Sequence, residues 1–241
     1  MSPPEEGIPP VTAPVPAPLS VDELSEKMRQ DWDERARQNA RFFVNTERED
    51  WTDEEFFWTG EQTLQEEILN DMINICQEKP PRRMKVLEIG CGAGRVTRAL
   101  SKVFGEVHAV DVSGEMVECA RRALEPHPNA HVYQNNGRDL SVVGDIQVDF
   151  AFSTIVFQHI SSRDIIESYI REVCRLLRPG ALFKFQVQGD SSTQPGDADT
   201  WIGVSFSTED AREMAERCGF EMRYCYGGGT QYFWLWYFKR R

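Results

Sequence analysis

The sequence has little basic charge and no long apolar run. Its 27 Lys and Arg residues stand against 39 Asp and Glu residues, which gives a net charge of −12. Because proteins bind phosphate backbones largely through Lys and Arg, this balance argues against a nucleic-acid partner. No apolar run approaches the roughly 20 residues of a transmembrane helix, and no basic and apolar targeting signal stands at the start. We therefore expect no membrane association.

Closely spaced cysteines are also absent. The six cysteines form no C-x-x-C pair, so we expect neither a metal site nor a disulfide framework. A reducing, cytoplasmic location fits this cysteine usage best. The length of 241 residues and the hydrophobic share of 40% allow one sizeable core. Composition leaves the oligomeric state open.

Against these absences stands one informative segment, Val86–Gly94, which reads VLEIGCGAG. A short apolar run predicts a buried strand, three alternate glycines follow, and Arg95 begins a helical pattern that Gly105 closes. Strand, glycine turn and helix form the layout of a loop that cradles a nucleotide. A dinucleotide fingerprint would need its third glycine where Arg95 stands, and a phosphate-binding loop would need Gly-Lys-Ser/Thr. Neither motif is present, which disfavours NAD-linked redox chemistry.

A second landmark is Asp111, at the end of the next predicted strand. A carboxylate at this place can accept hydrogen bonds from both hydroxyls of a ribose, as in dinucleotide-binding folds. Ser113 has the position of an N-cap for a helix over Gly114–Leu124. An ordinary aspartate at a strand end is the alternative interpretation.

The spacing of Glu88, the three glycines and Asp111 resembles motif I of the class I S-adenosylmethionine (SAM) methyltransferases. Val148–Ile160 is similar to the family's fourth strand and the loop that follows it, and Arg175–Gly180 is similar to its R-x-L-x-P-G turn. The resemblance extends over residues 64–241. It implies an α/β fold with a doubly wound, seven-stranded, mostly parallel sheet, strand order 3-2-1-4-5 and a terminal antiparallel hairpin that turns at Gly227–Gly229.

The resemblance also implies a cofactor site. In the family the glycine loop faces the methionine and ribose parts of SAM, and Val112 or Met116 would pack on the adenine. Where the family commonly has Gly-Asp-Ala, this chain has Asn136 and Gly137. The side-chain oxygen of Asn136 could accept a hydrogen bond from the adenine, and the backbone N–H of Gly137 could donate one to a ring nitrogen. The predicted cofactor-binding residues are Glu88, Gly90, Cys91, Gly92, Gly94, Asp111, Val112, Met116, Asn136, Gly137, Ser153 and Phe157.

The N-terminal part divides in two. Residues 1–19 are rich in proline and are expected to be a disordered tail. Residues 20–63 begin with a capping-box pattern at Ser20 and carry an apolar stripe at helical spacing, followed by several aromatic residues in an acidic context. This pattern predicts a helical cap before the methyltransferase domain at residues 64–241. In small-molecule methyltransferases such a segment folds over the cofactor and helps to form the acceptor pocket. The aromatic side chains could instead serve only to pack the cap on the core.

Polar and aromatic residues near the expected methyl end are the candidates for the acceptor pocket. His159 could act as a general base, or it could order the loop in which it lies, as the matching histidine commonly does in the family. The other predicted substrate-binding residues are Trp32, Phe43, Trp58, Gln158, Gln186, Gln188 and Trp201.

The sequence therefore predicts a SAM-dependent methyltransferase that acts on an oxygen or nitrogen atom of a small molecule and releases S-adenosylhomocysteine (SAH). Sulfur is a less favoured acceptor. The chain lacks the Asn/Asp-Pro-Pro-Tyr/Phe tetrapeptide that base-amino methyltransferases place after the fourth strand, where Ser153–Val156 stands instead. Two alternatives remain: methylation of a protein, and a SAM- or SAH-binding regulator without catalysis.

Overall fold

The computed structural model describes residues 19–192 and 200–241. Almost all of the expected proline-rich tail at residues 1–19 lies outside the described residues. So does the middle of the connection between residues 189 and 204.

Seven strands form one sheet in the order β3-β2-β1-β4-β5-β7-β6. The first five pair in parallel, and β7 pairs antiparallel with both β5 and β6. The strands are β1 (Lys85–Ile89), β2 (Glu106–Asp111), β3 (Ala130–Gln134), β4 (Val148–Ser153), β5 (Leu177–Val187), β6 (Phe220–Tyr226) and β7 (Phe233–Lys239). The predicted strand order and terminal hairpin are both confirmed.

Helices lie on both faces of this sheet. They are α1 (Val21–Val44), α2 (Asp53–Glu67), α3 (Met72–Cys76), α4 (Arg95–Val103), α5 (Gly114–Leu124), α6 (Arg163–Leu176) and α7 (Thr208–Arg217), with short 3₁₀ turns at Leu69–Asp71, Pro81–Arg83, Ser141–Val143 and Phe157–His159. Neighbouring residues of the central strands point to opposite faces, so Leu87 joins one apolar layer and Val86 the other. The sheet is thus buried on both sides, as expected for parallel strands.

The N-terminal helices begin at capping boxes. Ser20 and Glu23 bond reciprocally at the start of α1, as predicted, and Thr52 and Glu55 do the same for α2. Helix α1 kinks at Asn39, where the side chain bonds the backbone of Phe42 and competes with the helical pattern. Helix α2 runs without a break through the boundary expected between residues 63 and 64.

Candidate active site

The glycine loop after β1 is held between α1 and the segment that follows β4. Gly90 and Gly92 have positive φ angles of +73° and +51°, which glycine adopts without strain. A Cβ at Gly90 would lie 2.1 Å from Cγ2 of Val156, and one at Gly92 would lie 2.6 Å from Cγ2 of Val44. Glycine is required here because both neighbouring segments close directly onto the loop backbone.

Asp111 fixes the shape of this loop. One carboxylate oxygen accepts a hydrogen bond from the backbone N–H of Gly92 at 2.8 Å, and the other accepts from the N–H of Ser113 at 2.9 Å. Burial raises the pKa of Asp111 to about 6, although these backbone donors favour the charged form. The carboxylate therefore joins the end of β2 to the glycine loop and also faces the cavity beside it.

A cavity of about 880 Å³, including the space at its open mouth, lies over the carboxyl ends of β1 and β2. This is the edge of an open α/β sheet at which ligands bind. Most of its lining residues are apolar. Among the described residues, the charged side chains on its wall are Glu88, Arg95 and Asp111. The cavity is thus an apolar pocket with a few charged groups.

Many of the predicted site residues meet at this cavity. The predicted residues that line it are Glu88, Gly90, Cys91, Gly92, Asp111, Val112, Met116, Trp32, Phe43 and His159. They come from α1, β1 and the glycine loop after it, the end of β2, the start of α5 and the segment after β4. The structure therefore brings the expected cofactor loop and part of the expected acceptor wall together around one space.

Five predicted cofactor residues do not line this cavity. A Cβ at Gly94 would face Ala120 and Leu124 of α5, so this glycine serves helix packing. Ser153 donates its hydroxyl hydrogen bond to the carbonyl oxygen of Ile89, and Phe157 packs in the core against Phe183 and Phe185.

The other two belong to the turn after β3. The side-chain oxygen of Asn136 accepts hydrogen bonds from the backbone of Arg138 and Asp139, and Gly137 lies against Val112 and Met28. Asn135, one residue earlier, lines the cavity instead. Its side chain donates to the hydroxyl of Tyr169 at 2.7 Å.

Four aromatic rings gather where α1 meets the segment after β4. The ring centroids of Trp32 and His159 are 5.4 Å apart, and those of Trp32 and Trp201 are 6.0 Å apart. Phe43 meets Trp201 edge to face at 6.1 Å. Trp58 is separate from this cluster, with 59% of its surface exposed and no place on the cavity wall.

The three predicted glutamines lie behind this aromatic cluster. Gln186 donates a hydrogen bond to the side chain of Gln158 at 2.7 Å and accepts one from the backbone of Ile155. Gln188 accepts a hydrogen bond from the backbone of Asp190. All three are buried, and none lines the cavity. Their observed contacts hold the segment after β4 and the end of β5.

His159 contacts the backbone of Trp201, in the connection between β5 and α7. Its Nδ1 lies within hydrogen-bond distance of the backbone oxygen of Trp201, which can only accept, so Nδ1 carries a proton. The Nε2 atom lies 3.4 Å from the side-chain nitrogen of Gln158. These contacts are of the kind that orders a loop, and both roles of His159 stay predictions.

Sequence reasoning did not single out Asp33 of α1, which attaches the cap to the core. This buried carboxylate accepts a hydrogen bond from the hydroxyl of Ser113 at 2.7 Å and one from the backbone of Glu115 at 3.2 Å. It also pairs with Arg29 at 3.0 Å. Because Ser113 is itself bonded to Asp111, α1 is connected to the ligand edge of β2.

Glu88 is buried on the cavity wall, with 3% of its surface exposed. It accepts a hydrogen bond from the hydroxyl of Thr97 at 2.6 Å. Burial raises the pKa of Glu88 to about 7, and this effect outweighs Thr97 and the charge of Arg95, which lower it. In the folded protein, the Glu88 carboxyl group is therefore mainly protonated below neutral pH.

Replacing Glu88 with glutamine should change how stability depends on pH. Because folding raises this pKa from 4.5 to about 7, the wild type loses stability as pH rises through that window. Between pH 5 and pH 8, the free energy of unfolding of the wild type should fall by about 2–3 kcal/mol more than that of Glu88→Gln. Urea unfolding at both pH values measures this difference. Glu216→Gln, an exposed change on α7, is the control, and equal slopes for wild type and Glu88→Gln would contradict the expectation.

Comparison with known proteins agrees with the fold. Residues 86–180 match the family model of a methyltransferase domain. Malonyl-[acyl-carrier protein] O-methyltransferase of Priestia megaterium is 28% identical over 115 residues, which cover 47% of this chain and 40% of the relative. A dTDP-3-amino-3,4,6-trideoxy-alpha-D-glucopyranose N,N-dimethyltransferase of Streptomyces venezuelae is 22% identical, over 61% of this chain and 59% of its own. The chain thus spans about half the length of these curated relatives.

A solved structure extends the fold similarity to most of the chain. Magnesium protoporphyrin IX methyltransferase from Synechocystis PCC 6803, with bound SAM, superposes with a TM-score of 0.64 and 13% identity and covers 93% of this chain and all of that one. The sheet order and the cavity at its edge define a class I methyltransferase fold. With the match over residues 86–180, which is less than half of the chain, they make the chain similar to the class I SAM-dependent methyltransferases. The predicted fold is confirmed.

No group of three or more His, Cys, Asp and Glu side chains that could hold a metal ion occurs within residues 19–192 and 200–241. In the same part of the chain, no helix is long and apolar enough to cross a membrane.

Proposed function

We propose that this protein transfers a methyl group from SAM to an oxygen or nitrogen atom of a small molecule and releases SAH. The observation that carries the proposal is the cavity between the aromatic face of α1 and the glycine loop, with Asp111 at the end of β2 on its wall. SAM supplies a methyl group activated by its sulfonium, so the protein needs mainly to bind, orient and exclude water.

The residues on the cavity wall fit the parts of this cofactor. Asp111 carries a carboxylate that can accept from ribose hydroxyls, and Val112 and Met116 give an apolar surface for adenine. Gly90 and Gly92 line the cavity, and a Cβ at either position would meet a neighbouring side chain. Without a Cβ, the loop backbone can lie close to a bound ligand. The fit thus includes both the expected acid and the expected glycine loop.

The acceptor would contact the aromatic side of the cavity. Trp32 and Phe43 of α1 and the His159 ring form a wall there, backed by Trp201. Such a wall favours an acceptor with an apolar or aromatic body and excludes water from the transfer. The relatives include an O-methyltransferase and an N,N-dimethyltransferase by name, which fits either acceptor atom. We propose that the reaction takes place in the cytoplasm, as the six free cysteines suggest.

The test uses methyl-labelled SAM and a cell extract separated into small molecules, proteins and nucleic acids. Label that depends on the protein should enter the small-molecule fraction and should be lost with Asp111→Asn. Label in the protein fraction would instead favour the protein-methyltransferase alternative. No transfer to any fraction by a protein that binds SAH would favour a regulator without catalysis.

A further inference from the structure

Arg95 is a buried cation without an acidic partner in the described chain. Only 7% of its surface is exposed, and it forms no ion pair with a carboxylate within residues 19–192 and 200–241. Many other arginines of this acidic protein are paired, including Arg29 with Asp33. Because a buried charge without a partner is strongly disfavoured, a counter-ion at this position would be stabilising.

One end of the Arg95 guanidinium is held by helix α2. Its Nη1 donates to the backbone oxygen of Thr59 at 2.9 Å, to the Thr59 hydroxyl at 3.3 Å and to the Thr63 hydroxyl at 2.9 Å. The two helices touch at this point, because a Cβ at Gly60 would lie 2.1 Å from the backbone oxygen of Arg95. Helix α2 therefore fixes both the position and the orientation of the guanidinium.

The other edge of the guanidinium is the one suited to a carboxylate. Nε is buried and has no hydrogen-bond partner among the described residues. Nε and Nη2 together form the fork that binds two carboxylate oxygens side by side. Arg95 also lines the cavity beside Glu88 and the glycine loop. The unsatisfied donor thus belongs to a residue on the ligand wall.

The acids nearby do not neutralise this charge by contact. The charges of Glu88 and Glu47 favour the charged form of Arg95 without direct contact. One carboxylate oxygen of Glu88 already accepts a hydrogen bond from the hydroxyl of Thr97. Burial lowers the pKa of Arg95, and these two acids only partly offset that effect. A ligand carboxylate would supply the missing negative charge.

We infer that Arg95 binds the carboxylate of the amino-acid part of SAM and SAH, and that Thr59 and Thr63 of α2 position the guanidinium for it. The inference rests on the proposed function, since it assigns a residue to one part of that cofactor. A carboxylate on the acceptor has the same chemistry, and binding without any acceptor separates the two sources.

The test compares two ligands that differ in this carboxylate. Methylthioadenosine has the adenine, ribose and thioether of SAH but lacks the amino-acid group. With Arg95→Met, the affinity for SAH should fall about 10- to 100-fold, as expected for a lost pair of charge-assisted hydrogen bonds, while that for methylthioadenosine should stay within about 3-fold. Calorimetric titration without acceptor measures both. Arg98→Met is the matched control, since Arg98 lies one turn further along α4 and stacks on Phe57, and it should change neither affinity.

A positioning variant keeps the test decisive if Arg95→Met does not fold. Thr63→Val removes one partner of Nη1 and should lower the ratio of SAH to methylthioadenosine affinity in the same direction. An equal loss for both ligands, or an unchanged ratio in a folded variant, would overturn the inference. A wild type that binds neither ligand would instead overturn the proposed function.

Discussion

Asp111→Asn is expected to lose about 100-fold or more in affinity for SAH. The two carboxylate oxygens accept from the backbone of Gly92 and of Ser113, whereas an amide has a single acceptor oxygen. The variant therefore loosens the glycine loop and weakens the acceptor for ribose hydroxyls in one change. Two hydrogen bonds to a charged group, each of about 1.5–3 kcal/mol, account for this size. Calorimetric titration with SAH measures it.

Asp164→Asn is the control for this change. Asp164 is an exposed carboxylate at the start of α6 and lies outside the cavity wall. Its variant should bind SAH as the wild type does. Thermal unfolding of both variants checks that they remain folded. An Asp111→Asn protein that keeps normal affinity would remove Asp111 from the ligand site.

Gly60→Ala is expected to destabilise the folded chain although it adds a better helix former to α2. Alanine favours a helix over glycine by about 1 kcal/mol, which alone would stabilise α2. The added Cβ, however, would lie 2.1 Å from the backbone oxygen of Arg95, and backbone cannot move aside as a flexible side chain can. Overpacking typically costs about 1–3 kcal/mol or more, so we expect a net loss of about 2 kcal/mol. Urea unfolding measures it.

Gly114→Ala separates this clash from helix propensity. Gly114 begins α5, and a Cβ there would meet only the mobile side-chain amide of Gln134, at 3.2 Å. This variant should be neutral or slightly more stable than the wild type. If Gly60→Ala behaved in the same way, the tight contact between α2 and the start of α4 would be refuted.

Local spacing predicted the parts of the site that lie close together in sequence. The apolar run before Gly90 predicts β1, the glycines predict the tight loop, and Ser113 predicts the start of α5. These features depend on residues that are neighbours in the sequence, so the local sequence pattern is enough to predict them. The order of the strands came from the family resemblance, because strand pairing is a property of residues far apart.

Contacts between distant residues set the rest of the site. Asp33 meets Ser113 from another helix, and no spacing rule links the two. At the turn after β3 the alignment pointed to Asn136, but the backbone turn uses its oxygen and places Asn135 on the cavity. Trp58 shares the acidic, aromatic context of the cap, yet it faces solvent. Arg95 appeared only as a mismatch to a dinucleotide motif, and its unpaired donor became visible only with α2 in place.

The most direct test of the account is calorimetric titration of the wild-type protein with SAH, repeated with NADH. We expect saturable binding of SAH at one site per chain and no binding of NADH. Binding of NADH in preference to SAH, or binding of neither, would contradict the assignment of the cavity to a SAM-type cofactor.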